Sequence, residues 1–205
     1  MKGKEYKMND NYFLEKGFIK NGEDIYLYKN FLTEKELSVI VPILDDHRIN
    51  YKFNKDMDGT PFENKITEEI RELAFIPKRL KEMFIDKYIV HESLTVNVMS
   101  VGDHWGQHSD SHDFLEKRKK SEMLKDGDPY EVLNDSKYGI VVYFNKVEEG
   151  GDLFYSKQNI TYVPNPGDLV IHSSEDNCRH GVNAIIKGYR YSYSNHLGVD
   201  IKVPI

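Results

Sequence analysis

The second half of the chain is interrupted too often to be helical. "SLTVNVMSV" (93–101), "YGIVVYF" (138–144), "GDLFYS" (151–156), "DLVIHS" (168–173), "VNAIIK" (182–187) and "YRYSYSNHLGV" (189–199) are short, rich in β-branched and aromatic residues, and bounded by Gly, Asn or Pro. Runs of this kind read as antiparallel strands joined by tight turns. Ahead of them the pattern is helical. In "LTEKELSVIVPILDDH" (32–47), Thr33 and Glu36 stand in capping-box spacing before apolar residues at helical intervals. "ITEEIRELAFIPKRLKEMFIDKY" (66–88) reads as a longer helix that Pro77 bends or splits. Helices followed by strands predict a mainly β protein with N-terminal helices: a sandwich, barrel or jelly roll with a helical buttress. At 205 residues this fits one domain, residues 1–205, with the buttress at about 30–90 and the β-core at about 91–200.

Composition narrows the function classes. A formal charge of −6 argues against a dedicated nucleic-acid binder, which usually carries a basic face. Cys178 is the sole cysteine, which rules out an intramolecular disulfide and a sulfur-based zinc site. The N-terminal "MKGKEYKMNDNYFLEKGF" lacks the apolar run of a signal peptide, and no later segment is apolar enough to span a bilayer, so the expectation is a cytoplasmic protein without membrane partners. The charged stretch 111–137 interrupts the strand rhythm and reads either as a solvated helix and loop or as a lid.

That stretch follows a dense cluster, "GDHWGQHSDSHDF" (102–114), with three histidines and three aspartates. His108 and Asp110 are two apart, so on a strand both side chains leave one face and can meet one ion. His-x-Asp alone is a weak signal. His180, just ahead of "VNAII", is the best third ligand. Two imidazoles and a carboxylate leave open coordination positions, the arrangement suited to non-haem Fe(II). His112 continues the period-two series and offers a local alternative, although Ser111 and Asp113 look like helix-cap residues. His104 and Asp103 follow Gly102 and read as turn residues. His47, His91, His172 and His196 read as satisfied or exposed histidines rather than ligands. Further on, Arg190 and Ser192 are again two apart, a pair suited to a small carboxylate.

Taken together these residues resemble the Fe(II)- and 2-oxoglutarate-dependent oxygenases, most closely their prolyl 4-hydroxylase-like branch. The matching parts are Gly102, His108, Asp110, "YFN" (143–145), "GGDLF" (150–154), "PNPGD" (164–168), His180 and "RYS" (190–192), in order across residues 94–198. The resemblance implies a double-stranded β-helix, that is, a jelly-roll core with a metal in its mouth, and a dioxygenase that hydroxylates a C–H bond while 2-oxoglutarate is converted to succinate. It makes His108, Asp110 and His180 the metal ligands and sets Arg190 on the distal carboxylate of 2-oxoglutarate, with Tyr143 and Ser192 assisting. Asn97 resembles a cosubstrate-contacting asparagine of the dealkylase branch. Fe(II), 2-oxoglutarate and O2 are the implied cofactors, with ascorbate as an accessory. Where many relatives carry a tyrosine, three residues before the glycine, this chain has Met99. Trp105 either lines the substrate cleft or packs in the core.

The resemblance favours a prolyl residue of a peptide or protein as substrate. A free amino acid or other small metabolite would use the same catalytic residues. An AlkB-like nucleic-acid dealkylase is disfavoured by His196, which stands where that branch has a second arginine, and by the acidic charge. A non-catalytic jelly-roll binding module is disfavoured by the presence of all three ligands and the arginine. Specificity is expected to lie in 111–137 and in "FNKDMDGTPFEN" (53–64).

Overall fold

A computed structural model describes residues 9–50, 71–90, 95–110 and 136–199. The chain opens with α1 (Asp10–Glu15), β1 (Ile19–Gly22), β2 (Ile25–Tyr28), α2 (Glu34–Asn50) and α3 (Phe75–Phe84). Strands follow: β3 (Tyr88–Val90), β4 (Thr95–Met99), β5 (Trp105–His108), β6 (Ser136–Tyr143), β7 (Glu149–Gly150) and β8 (Leu153–Tyr155). The rest are β9 (Ile160–Tyr162), β10 (Leu169–Ser173), β11 (His180–Val182), β12 (Ile185–Lys187) and β13 (Arg190–Val199). Among the described residues no helix is long and apolar enough to cross a membrane.

A seven-stranded antiparallel sheet runs β1-β2-β10-β6-β13-β3, with β4 also paired to β13, and a four-stranded sheet runs β5-β11-β8-β9. The two faces of the larger sheet follow from the alternation of side chains along its strands. Tyr138, Ile140 and Val142 of β6, with Tyr191, Tyr193 and Leu197 of β13, point toward the helices. Tyr143, Ile25, Leu27 and Val170 point toward Leu153, Tyr155 and Val182 of the smaller sheet. The result is the expected jelly roll with a helical buttress. Strands enter the main sheet ahead of residue 91, however, where the sequence pattern had placed the start of the β-core. β2 pairs with β10 over four residues, and β3 pairs with the end of β13.

The buttress shows why its residues form helices. The capping box is made: the Thr33 amide donates to Glu36 Oε2 at 2.8 Å, and the Glu36 amide donates to Thr33 Oγ1 at 3.2 Å. α3 buries Ile76, Leu80 and Phe84, a stripe at i, i+4 and i+8. The segment read as one helix is interrupted ahead of Pro77 rather than at it. Pro77 lies in the first turn, where an amide would lack an intrahelical partner in any case. The expected helix at 66–88 is accordingly shorter: Arg71–Leu73 is a 3-10 turn and β3 begins at Tyr88. The segment 53–64, the insert up to residue 135, His91 and His112 lie outside the described residues.

The "PNPGD" turn ties the buttress to the sheet. Gly167 has φ +82°, and a Cβ there would stand 2.5 Å from the Leu32 carbonyl oxygen. The Gly167 amide donates to the Tyr143 carbonyl at 2.8 Å, and the Gly167 carbonyl accepts from the Leu32 amide at 3.1 Å. Only glycine allows both the conformation and the approach. The buried Asp168 carboxylate beside it accepts from Lys29 Nζ at 2.8 Å and from the Tyr162 hydroxyl.

Candidate active site

β5 and β11 lie side by side with His108 directly opposite His180. Cross-strand pairing therefore brings together two histidines 72 positions apart, and their ring centroids are 4.4 Å apart. Each ring is oriented by its own backbone. His108 Nδ1 lies 2.9 Å from the Gly106 carbonyl, and His180 Nδ1 lies 3.0 Å from the Cys178 carbonyl. A carbonyl only accepts, so each Nδ1 carries the proton and each Nε2 keeps its lone pair for a ligand. Asp110, two residues past the end of β5, sets Oδ1 3.5 Å from His108 Nε2 and 3.9 Å from His180 Nε2. One ligand atom from each of the three residues lies within 4.8 Å of the other two, so the trio can hold a metal ion.

Protonation suits ligation. Burial lowers the His180 pKa to about 3, and the neighbouring His172 and His108 add to the effect, so its imidazole is neutral at ordinary pH. Burial works against ionisation of Asp110, but His180, His172 and His196 outweigh it and hold its carboxyl below the usual range. A carboxylate and neutral imidazoles are the forms a divalent metal binds. Cys178 takes no part: burial pushes its thiol up to about 12.

The same cavity, about 110 Å³, extends from this cluster to Arg190 and is walled by Trp105, Leu153, Val182 and Val141. Arg190 opens β13 and is only 5% exposed. Its Nη1 donates to Ser192 Oγ at 2.9 Å, as the shared strand face predicts, and touches Met99 Sδ at 3.5 Å. Among the described residues the buried Arg190 Nε and Tyr143 hydroxyl have no hydrogen-bond partner. Buried donors left without a partner are costly unless an acceptor visits them. A carboxylate is the acceptor such a pair fits. Asn97 lines the cavity too, with its Nδ2 donating to Ser194 Oγ at 2.6 Å. Ser192 is not part of the lining; its hydroxyl is engaged by the guanidinium.

Three contributors escaped the sequence reading. His172 is satisfied on one side, with Nδ1 2.8 Å from the Tyr155 hydroxyl, but its Nε2 faces Asp110 Oδ2 at 3.4 Å. His196 Nε2 lies 3.8 Å from the same oxygen. Ser194 continues the face of Arg190 and Ser192 along β13, a period-two signal that was present in "RYSYSNH".

Comparison with solved structures defines the class of this fold. The viral collagen prolyl hydroxylase of Paramecium bursaria Chlorella virus-1, solved as a 2-oxoglutarate complex, is similar with a TM-score of 0.60 at 15% identity, over 87% of this chain and 98% of that one. A Pseudomonas putida prolyl 4-hydroxylase matches with a TM-score of 0.60 at 12% identity, over 86% of this chain and 93% of that one. A Trichoplax adhaerens prolyl hydroxylase, in complex with a hypoxia-inducible factor peptide fragment, matches with a TM-score of 0.61 at 13% identity, over 92% and 86%. No family model and no curated protein sequence matches the chain. The architecture is a jelly roll with the fold of these prolyl hydroxylases. Among jelly rolls it is the prolyl 4-hydroxylase-like fold.

Proposed function

We propose that this protein is an Fe(II)- and 2-oxoglutarate-dependent dioxygenase that hydroxylates a prolyl residue in a peptide or protein. The observation that carries the reading is one cavity lined by both a two-histidine, one-carboxylate cluster and Arg190, whose buried Nε has no hydrogen-bond partner among the described residues and whose guanidinium lies 5.1 Å from the Tyr143 ring. The donor set fits Fe(II) with open coordination positions. His108 Nε2, Asp110 Oδ1 and His180 Nε2 are the ligands. Arg190 and Tyr143 bind the distal carboxylate of 2-oxoglutarate, Ser192 steadies the guanidinium, and Asn97 with Ser194 forms the polar wall. When bound, iron and cosubstrate supply the oxidation, one atom of O2 going to the product hydroxyl and the other to succinate, with release of carbon dioxide. The chain's own part is to hold the reactants in line and, through Trp105, Leu153 and Val182, to keep bulk water out. The peptide assignment is supported by the Trichoplax complex and the viral collagen hydroxylase, both of which share the fold.

The test is anaerobic titration of Fe(II)-loaded protein with 2-oxoglutarate, followed by visible absorption. A weak charge-transfer band that is lost in Arg190→Ala is expected, and succinate release should then rise with proline-rich peptides over free amino acids. Failure to retain iron, with no band, would overturn the reading and leave a jelly-roll binding protein. Stimulation by a free amino acid but by no peptide would keep the chemistry and overturn the prolyl assignment.

A further inference from the structure

The register of the main sheet sets His172, Gly139 and His196 in one row across three neighbouring strands. His172 of β10 is opposite Gly139 of β6, and Gly139 is opposite His196 of β13. A glycine between two histidines makes a slot, and the Asp110 carboxylate lies in it. A Cβ built on Gly139 would collide with both Asp110 Oδ2 and His172 Nε2. The carboxylate is thereby divided. Oδ1 faces His108 and His180, whereas Oδ2 faces His172 at 3.4 Å and His196 at 3.8 Å.

The tautomer of His172 follows from its two contacts taken together. The Tyr155 hydroxyl is 2.8 Å from His172 Nδ1, and burial holds that phenol well above its ordinary pKa, so it keeps its proton. The ionised Asp110 carboxylate can only accept, so the imidazole hydrogen is on Nε2, the atom directed at it, and Nδ1 accepts from the phenol. His172 is 1% exposed, so no water competes for that N–H from the bulk. The contact is longer than a mature N–H···O bond, and the carboxylate charge is what draws the donor to it.

We infer that Tyr155 and His172, with His196 on the far side of the slot, hold the outer oxygen of Asp110 and so confine this aspartate to binding metal through Oδ1 alone. His172 is a positioning residue, acting on the metal only through Asp110. The inference rests on the metal-centre reading above. Its consequence is chemical: a carboxylate that occupies one position instead of two leaves the neighbouring position open to other ligands.

The experiment is calorimetric titration of the metal-free protein with Co(II), together with the visible d–d spectrum, on the parent and three variants. His172→Phe keeps the volume and removes the N–H; it should weaken Co(II) binding by about 10–100-fold, the range for loss of a group that orients a ligand, and alter the d–d bands. His172→Gln restores a donor near the Nε2 position and should recover most of the affinity and the parent spectrum. Tyr155→Phe frees the tautomer and should fall between the two, which keeps the inference testable should His172→Phe fail to fold. Parent-like affinity and spectrum in His172→Phe, or a glutamine variant as impaired as the phenylalanine one, would overturn the inference while leaving the metal centre standing. A folded parent that binds no Co(II) would remove the metal centre and this inference with it.

Discussion

The Arg190 guanidinium lies 5.1 Å from the centre of the Tyr143 ring, and both residues carry a buried donor that the described chain leaves unanswered. The phenol is held above its ordinary pKa by burial, with the arginine cation opposing, so the site presents a cation and a neutral hydroxyl. Arg190→Ala should weaken 2-oxoglutarate binding about 30-fold or more, since a buried charge-assisted contact is worth upward of about 2 kcal/mol. Tyr143→Phe removes one neutral donor to a charged group and should cost about tenfold. Anaerobic calorimetry with 2-oxoglutarate measures both. A phenylalanine variant that bound 2-oxoglutarate as tightly as the parent would mean that the ring's packing, rather than its hydroxyl, supports the arginine.

The cross-strand pairing of His108 and His180 makes a different prediction. Neither histidine holds the sheet together through its ring, because each spends Nδ1 on a carbonyl of its own segment and directs Nε2 inward. Asp110→Ala, His108→Ala and His180→Ala should therefore each abolish turnover and lower Fe(II) affinity by at least about tenfold, with thermal midpoints close to the parent's. Metal titration paired with thermal melts checks this. If His108→Ala bound iron like the parent and turned over, the ligand assignment would fall.

Glu36, in the first turn of α2, is a third testable point. It closes the capping box of α2 and also pairs with Arg79 of α3, whose Nη1 donates to the Phe31 carbonyl at 2.6 Å. The Arg79 guanidinium, with the Thr33 amide and hydroxyl, lowers the Glu36 pKa to about 2 from an ordinary 4.5. A carboxyl depressed in the folded state contributes stability that is complete above pH 4.5 and is lost as the pH falls through about 2. Glu36→Ala should destabilise by about 1–2 kcal/mol at neutral pH. Glu36→Gln, which can still cap, should cost less. The gap between parent and glutamine variant should close on acidification from pH 4.5 to about 2. Urea midpoints across that range measure it, and a gap that persisted would show that geometry, not charge, joins the helices.

Local periodicity carried most of what the sequence revealed. The two-residue steps from His108 to Asp110 and from Arg190 to Ser192 are set by the strand repeat, which needs no knowledge of neighbours. The slot around Asp110 depends instead on which strands pair and in what register. His172 and His196 look like isolated histidines until β10, β6 and β13 are aligned, and Gly139 looks like an ordinary residue of "YGIVVYF". β1 and β2 were missed because four residues each are too few to establish alternation, although the "NGED" (21–24) that ends β1 and leads into β2 is a turn signal.

Gly139 offers the most economical probe of that register. It is a strand residue flanked by Tyr138 and Ile140, both buried toward the helices, so its own missing side chain would point into the cavity. Alanine has the smallest Cβ a residue can have and is compatible with strand geometry, so Gly139→Ala disturbs little except what lies over residue 139. What lies there is Asp110 Oδ2 and His172 Nε2, both closer than a Cβ tolerates. One of them must move, and Asp110, on the segment just past β5, has more freedom than His172 inside β10. Displacing Asp110 swings Oδ1 away from His108 and His180. The variant should therefore fold, at a cost of about 1–3 kcal/mol for overpacking, and lose metal affinity and turnover by about tenfold or more. Thermal melts and metal titration separate the two effects. Unchanged metal affinity would mean that the carboxylate is held from above and that Gly139 serves only the spacing of the strands.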